Sequence, residues 1–147
     1  MKVKVRIDRC IGCKSCEMAC AKSHSDGSPL GVAPRLRVKH GQIIRSGDVR
    51  VANKPHVITC RHCAKPKCAA ACIAGAIYQT EDGRVMYDRD KCVGCWMCIM
   101  VCPFGAIHRD LKAKKVAKCD LCEGRSVPAC VEACKVDALE IDMGRDR

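Results

Sequence analysis

The chain has 147 residues, sixteen of them cysteine, and a formal net charge of +11, with only one Trp, one Phe and two Tyr. That length bounds it to one compact domain or two small units sharing a body, and the scarcity of aromatics leaves an ordinary core short of its large side chains. No stretch approaches the roughly eighteen apolar residues of a membrane span, so none is expected here.

In chain order, Val3, Val5 and Ile7 alternate with Lys4 and Arg6, which predicts a strand over residues 3–7. It leads into a first run, Cys10, Cys13, Cys16 and Cys20, spaced C-x2-C-x2-C-x3-C. Residues 21–59 carry no cysteine, and residues 31–58 hold six Lys or Arg against one Asp. Strands are predicted at 36–39 and 42–45, joined at His40 and Gly41. This basic piece reads either as a solvated hairpin or as a docking face for an acidic partner subunit.

The second run is Cys60, Cys63, Cys68 and Cys72, spaced C-x2-C-x4-C-x3-C. Asp82 and Gly83 then separate apolar residues 76–78 from 85–87, a hairpin signal. The third run, Cys92, Cys95, Cys98 and Cys102, repeats the first spacing and is followed by Pro103. Residues 106–109 and 115–118 form another predicted pair, turning at 111–114. The fourth run is Cys119, Cys122, Cys130 and Cys134, spaced C-x2-C-x7-C-x3-C, and residues 138–141 close the chain as a strand. Each run ends in two cysteines four apart, which one helical turn puts on one face, so a short helix is expected at the end of each run.

C-x2-C-x2-C-x3-C followed by Pro is the bacterial iron–sulfur run, in which the fourth cysteine reaches the neighbouring cluster. The segment from Cys60 to Cys102 has the layout of a small two-cluster ferredoxin. Crossing within it assigns Cys60, Cys63, Cys68 and Cys102 to one cluster and Cys92, Cys95, Cys98 and Cys72 to the next. The outer runs then pair as Cys10, Cys13, Cys16 with Cys134, and Cys119, Cys122, Cys130 with Cys20. The expected fold is α+β: two ferredoxin-like two-cluster units, one inserted in the other, built from short helices, short antiparallel hairpins and much loop. Residues 1–30 and 103–147 form the outer unit, 31–58 the basic insertion and 59–102 the inner unit.

Other readings weigh less. Zinc ribbons need only cysteine pairs, and tetrahedral zinc has no use for a third close thiolate. A disulfide scaffold needs export, whereas MKVKVRIDRC has neither an apolar secretory run nor a twin-arginine signal. The reading is therefore a soluble protein of the reducing cytoplasm. The basic charge invites nucleic acid, but an oxidised 4Fe-4S site with its thiolates carries roughly −2, so four sites leave roughly +3. A basic zinc-containing nucleic-acid-binding protein remains the alternative of another class. His62 is expected to make a hydrogen bond near a cluster or to face solvent, not to ligate. His24, His40, His56 and His108 are expected to be exposed. Trp96 is expected to pack over a cluster, with Met97 and Met100 as fillers. Lys112, Lys114, Lys115 and Lys118 form a second basic patch, as a solvated turn or a partner site. Every cysteine that could act as a nucleophile is assigned to metal and no phosphate-cradling loop is present, which leaves electron transfer without bond chemistry.

The order CIGCKSCEMAC, CRHCAKPKCAAAC, CVGCWMCIMVCP and CDLCEGRSVPACVEAC resembles the four-cluster iron–sulfur subunit family. That family includes electron-transfer subunits of formate dehydrogenase, dimethyl sulfoxide reductase and some hydrogenases. CVGCWMC followed by VCPFGAI is most similar to the short soluble members serving carbon monoxide dehydrogenase or tungsten aldehyde oxidoreductases. The resemblance covers nearly the whole chain. It implies four 4Fe-4S clusters and a large catalytic subunit, a molybdenum or tungsten enzyme or carbon monoxide dehydrogenase. A ferredoxin, a flavin subunit or a hydrogenase would be the redox partner. Self-association into a longer wire and a free polyferredoxin carrier are the further options. Two departures stand out: Pro follows only Cys102, with Ala21, Ile73 and Lys135 after the other fourth cysteines, and no membrane tail follows the last run.

Overall fold

A computed structural model describes residues 1–25, 30–41, 43–46, 49–52 and 54–143. The first strand, β1 (Lys2–Val5), does not pair with its sequence neighbour but with the last, β10 (Leu139–Asp142), antiparallel, Val3 opposite Ile141 and Val5 opposite Leu139. Alternation dictates this: Val3 and Leu139 turn inward and are buried, while Lys2 and Lys4 stay outside. The pairing draws the first and fourth cysteine runs together. Their helices, α1 (Ser15–Ser23) and α4 (Ala129–Glu132), pack on each other, as do α2 (Lys67–Ala70) and α3 (Met97–Val101) of the middle runs.

Two hairpins stand where the turn signals put them. Strands β6 (Ile77–Gln79) and β7 (Val85–Tyr87) pair across Asp82-Gly83, with Gly83 at φ 79° as the turn requires. Strands β8 (Ile107–Asp110) and β9 (Lys115–Lys118) pair with Ile107 opposite Lys118. The architecture is thus α+β, with four short helices and paired antiparallel strands among the described residues.

The expected hairpin at His40-Gly41 is not formed. Strand β2 (Arg37–Lys39) pairs instead with β5 (His56–Ile58), and β3 (Ile43–Ser46) with β4 (Val49–Ala52); Gln42 lies outside the described residues. The non-local pairing sets Val38 opposite Val57 and buries both in a core with Leu36, a gain in apolar burial that a local turn signal cannot outweigh. Strand β5 also runs directly into Cys60.

Two apolar cores result. One gathers Val3, Leu36, Val38, Val57, Leu121 and Leu139 with cysteines of the first, second and fourth runs. The other gathers Ile77, Val85, Ile107 and Val116 with cysteines of the second and third. Cys102 packs against both. No aromatic residue is among the buried core residues described; Trp96 packs on the second core from its edge, with the Arg109 guanidinium 5.5 Å from its ring centre.

Candidate metal centres

The four C-x2-C loops share a backbone device that spacing alone does not reveal. The residue before the second cysteine has a left-handed conformation in each: Gly12 at φ 73°, His62 at 45°, Gly94 at 70° and Leu121 at 62°. A bend of this kind lets successive peptide N–H groups converge on an anion, as in nests, and in the fourth run the Leu121 N–H donates to Cys119 Sγ. Glycine adopts it without strain, whereas His62 and Leu121 hold it at a cost of about 1–3 kcal/mol that only surrounding structure can sustain. Gly94 has a second reason, since a Cβ there would run into the Lys114 carbonyl.

A second device repeats at the exits. Three residues after Cys72, Cys102 and Cys134 stand Gly75, Gly105 and Asp137, all at positive φ, each N–H donating back to that cysteine's carbonyl at 3.1, 3.3 and 3.3 Å. The turn therefore forms with or without Pro103. The first run differs because α1 continues past Cys20 to Ser23.

The helices and loops bring the cysteines together in crossed groups. Cys10, Cys13 and Cys16 line one recess with Cys134. Cys60, Cys63 and Cys68 line another with Cys102, and Cys92, Cys95 and Cys98 a third with Cys72. Cys119, Cys122, Cys130 and Cys20 are all buried, and Cys119, Cys122 and Cys20 each lie close enough to Cys130 to oppose its ionisation. All sixteen thiols are free of disulfides.

Burial pushes the thiols of Cys16 and Cys119 up to about 12 and that of Cys98 up to about 11. Such thiols become ligands only by releasing protons as metal binds. Backbone N–H groups already point at several sulfurs: Arg35 N–H to Cys20 Sγ at 3.2 Å, Ala138 N–H to Cys134 Sγ at 3.2 Å and Leu121 N–H to Cys119 Sγ at 3.4 Å.

The buried polar groups around these thiols fit anionic iron–sulfur sites. Thr59 Oγ1 and His62 Nε2 are buried without partners, Tyr87 OH is buried beside the Cys92 thiol, and all three flank cysteines of the runs. His62 is buried and stays neutral: burial and the nearby Lys118 ammonium bring it down to about 4. Its Nδ1 accepts the Val85 N–H at 3.0 Å, which leaves the proton on the unpartnered Nε2. Lys118 is fully buried and donates to the carbonyls of Val85 and, at 2.9 Å, Cys119. It is therefore no part of a basic surface patch, contrary to the expectation from sequence.

His24 and His108 are likewise not the exposed side chains expected. The His108 ring is half-buried with Nε2 unpartnered. His24 sits between Cys20 and Asp120, Nδ1 at 2.8 Å from the Cys20 carbonyl and Nε2 at 3.1 Å from Asp120 Oδ1. Arg35 pairs with the other carboxylate oxygen, and Oδ1 also accepts the Cys122 N–H at 3.0 Å. Burial opposes charge on both partners, yet Asp120 and the Cys20 sulfur push His24 up to about 10, while His24 and Arg35 hold Asp120 far below 3.8. The depressed carboxylate contributes stability above pH 3.8 that is lost on acidification, and the raised imidazole contributes stability below pH 6.5 that is lost as pH rises through about 10. Asp120→Asn leaves the half-buried Arg35 guanidinium unpaired and removes the group that keeps His24 protonated, and is expected to destabilise the protein by about 3 kcal/mol. That lowers the thermal midpoint by on the order of 10 °C, followed through the visible absorbance of the iron-loaded protein; a change within ~2 °C would contradict the network.

The profile of the 4Fe-4S dicluster domain matches residues 53–143. Among curated relatives, the probable anaerobic dimethyl sulfoxide reductase chain YnfG of Escherichia coli is 37% identical over 145 residues, covering 90% of this chain and 68% of the relative. A tetrathionate reductase subunit of Salmonella typhimurium is 37% identical over 134 residues, covering 88% of this chain and 52% of the relative. The putative oxidoreductase AegA of Escherichia coli is 39% identical, covering 90% of this chain; the chain spans only 20% of that protein's length. No helix among the described residues is long and apolar enough to cross a membrane. The chain belongs to the 4Fe-4S dicluster domain family.

Proposed function

We propose that this chain is the electron-transfer subunit of an oxidoreductase complex and holds four 4Fe-4S clusters as one wire. The observation that carries the reading is the crossing: three recesses are each closed by three cysteines of one run and the fourth of another. Once bound, the clusters supply one-electron exchange with little change of geometry. The chain's own part is to hold each set by short helices, to aim N–H groups at the sulfurs and to exclude water from the buried set of Cys119, Cys122, Cys130 and Cys20.

Contacts between sets support an order. Cys16 neighbours Cys130, Cys60 neighbours Cys119, and Cys68 neighbours Cys98, each near enough to disfavour the other's ionisation. The sets then follow from Cys10/13/16/134 through Cys119/122/130/20 and Cys60/63/68/102 to Cys92/95/98/72. Cys13 and Cys95 are the two exposed cysteines, and they belong to the two terminal sets, where electrons would enter and leave. On this reading the outer unit holds the first two sets and the inner unit the last two, as two ferredoxin-like bodies, one inserted in the other.

The named relatives are chains or subunits of reductases, which favours a permanent catalytic partner over a free polyferredoxin. A molybdenum or tungsten enzyme or carbon monoxide dehydrogenase is the proposed partner, with a ferredoxin, flavin subunit or hydrogenase at the other end, in the cytoplasm. Anaerobic purification from the native cell tests this. The brown protein should carry about sixteen irons with matching sulfide and co-elute with a large subunit. Iron without a partner would establish the free carrier, and zinc without iron would overturn the reading altogether.

A further inference from the structure

We propose that Lys118 is the fixed positive charge that sets the reduction potentials of the two middle sites of the wire, those of Cys119/122/130/20 and Cys60/63/68/102. The inference rests on the four-cluster reading above and assigns a role to a residue outside the ligand sets.

Lys118 has no solvent exposure at all, and no carboxylate pairs with it among the described residues. An ammonium buried without a counter-ion is strongly disfavoured, and two carbonyl dipoles do not make that good. The missing negative charge is supplied by thiolate-bound clusters at roughly −2 each. Lys118 is placed between two such sets. It bonds the carbonyl of Cys119, a ligand of one, and the carbonyl of Val85, a wall of the recess that holds the other.

An electron accepted from the redox partner would leave a site one charge more negative. A buried cation stabilises that state more than the oxidised one, and the low dielectric keeps the attraction unscreened. Val85 is gripped at both ends, its N–H by His62 of the second run and its carbonyl by Lys118 beside the fourth. The same lysine thus joins the two units and biases electrons to rest at their junction.

The test compares Lys118→Met and Lys118→Gln, which remove the charge, with Lys118→Arg, which keeps it. Each is loaded anaerobically and titrated potentiometrically with electron paramagnetic resonance as readout. In the neutral variants two of the four potentials should fall, the equilibrium for taking up an electron dropping at least tenfold, equivalent to 59 mV for one electron. The two affected signals should be those altered by serine substitution of Cys60, Cys63 or Cys68 and of Cys119, Cys122 or Cys130, and Lys118→Arg should restore most of the shift. Unchanged potentials, or four equal shifts, overturn the inference. Loss of clusters in both neutral variants but not in Lys118→Arg also overturns it, because the charge then serves assembly. Wild-type protein with fewer than four clusters would instead refute the underlying reading.

Discussion

Replacing Cys72 by serine damages the cluster held by Cys92, Cys95 and Cys98, not the one held by the rest of its own run. Cys72 stands just past α2 and lines the recess of the third run, close enough to Cys98 to be the first of the thiols that oppose its ionisation. Serine is shorter and offers a poor oxygen ligand in place of a soft thiolate. Electron paramagnetic resonance should show one perturbed signal, assigned to the third run, with iron content falling by up to about a quarter, one cluster in four. A change confined to the Cys60, Cys63 and Cys68 signal would show that each run closes its own site.

What could be read from the sequence divides by range. The Asp82-Gly83 hairpin and the short helices at the run ends depend on residues within a few positions of each other, and they form where spacing and turn chemistry put them. The partner of β2 did not follow from its neighbours, because Val57 offered more burial to Val38 than the adjacent stretch could. His24 looked like an ordinary surface histidine because the carboxylate that holds it, on Asp120, is 96 residues away. Lys118 looked like part of a basic turn for a related reason. Its burial depends on negative charge that arises only where two distant cysteine runs meet. Alternation along β9 does not mark it out, because Val116, Ala117 and Lys118 are all buried and the strand has no single inward face. The left-handed residues were half legible, since Gly12 and Gly94 announce the bend while His62 and Leu121 conceal it.

Stripping the iron is expected to abolish cooperative folding. The two cores are lined by cysteine, small aliphatics and alanine, without a buried aromatic among the described residues. A chain this size gains only a marginal surplus from apolar burial even when its core is full. Without metal, the recesses lose their contents, several thiols stay neutral in apolar surroundings, and Lys118 is left buried with no carboxylate beside it among the described residues. The last effect alone costs several kcal/mol, comparable with the whole stability of a small domain. Chelation under reducing conditions should therefore remove the thermal transition seen by circular dichroism and release fast-exchanging amides throughout β1, β10 and β7. Anaerobic reconstitution with iron and sulfide should restore both. Apo protein that still melts cooperatively, with β1 and β10 protected from exchange, would mean that the polypeptide forms its crossed frame first and the clusters merely occupy it.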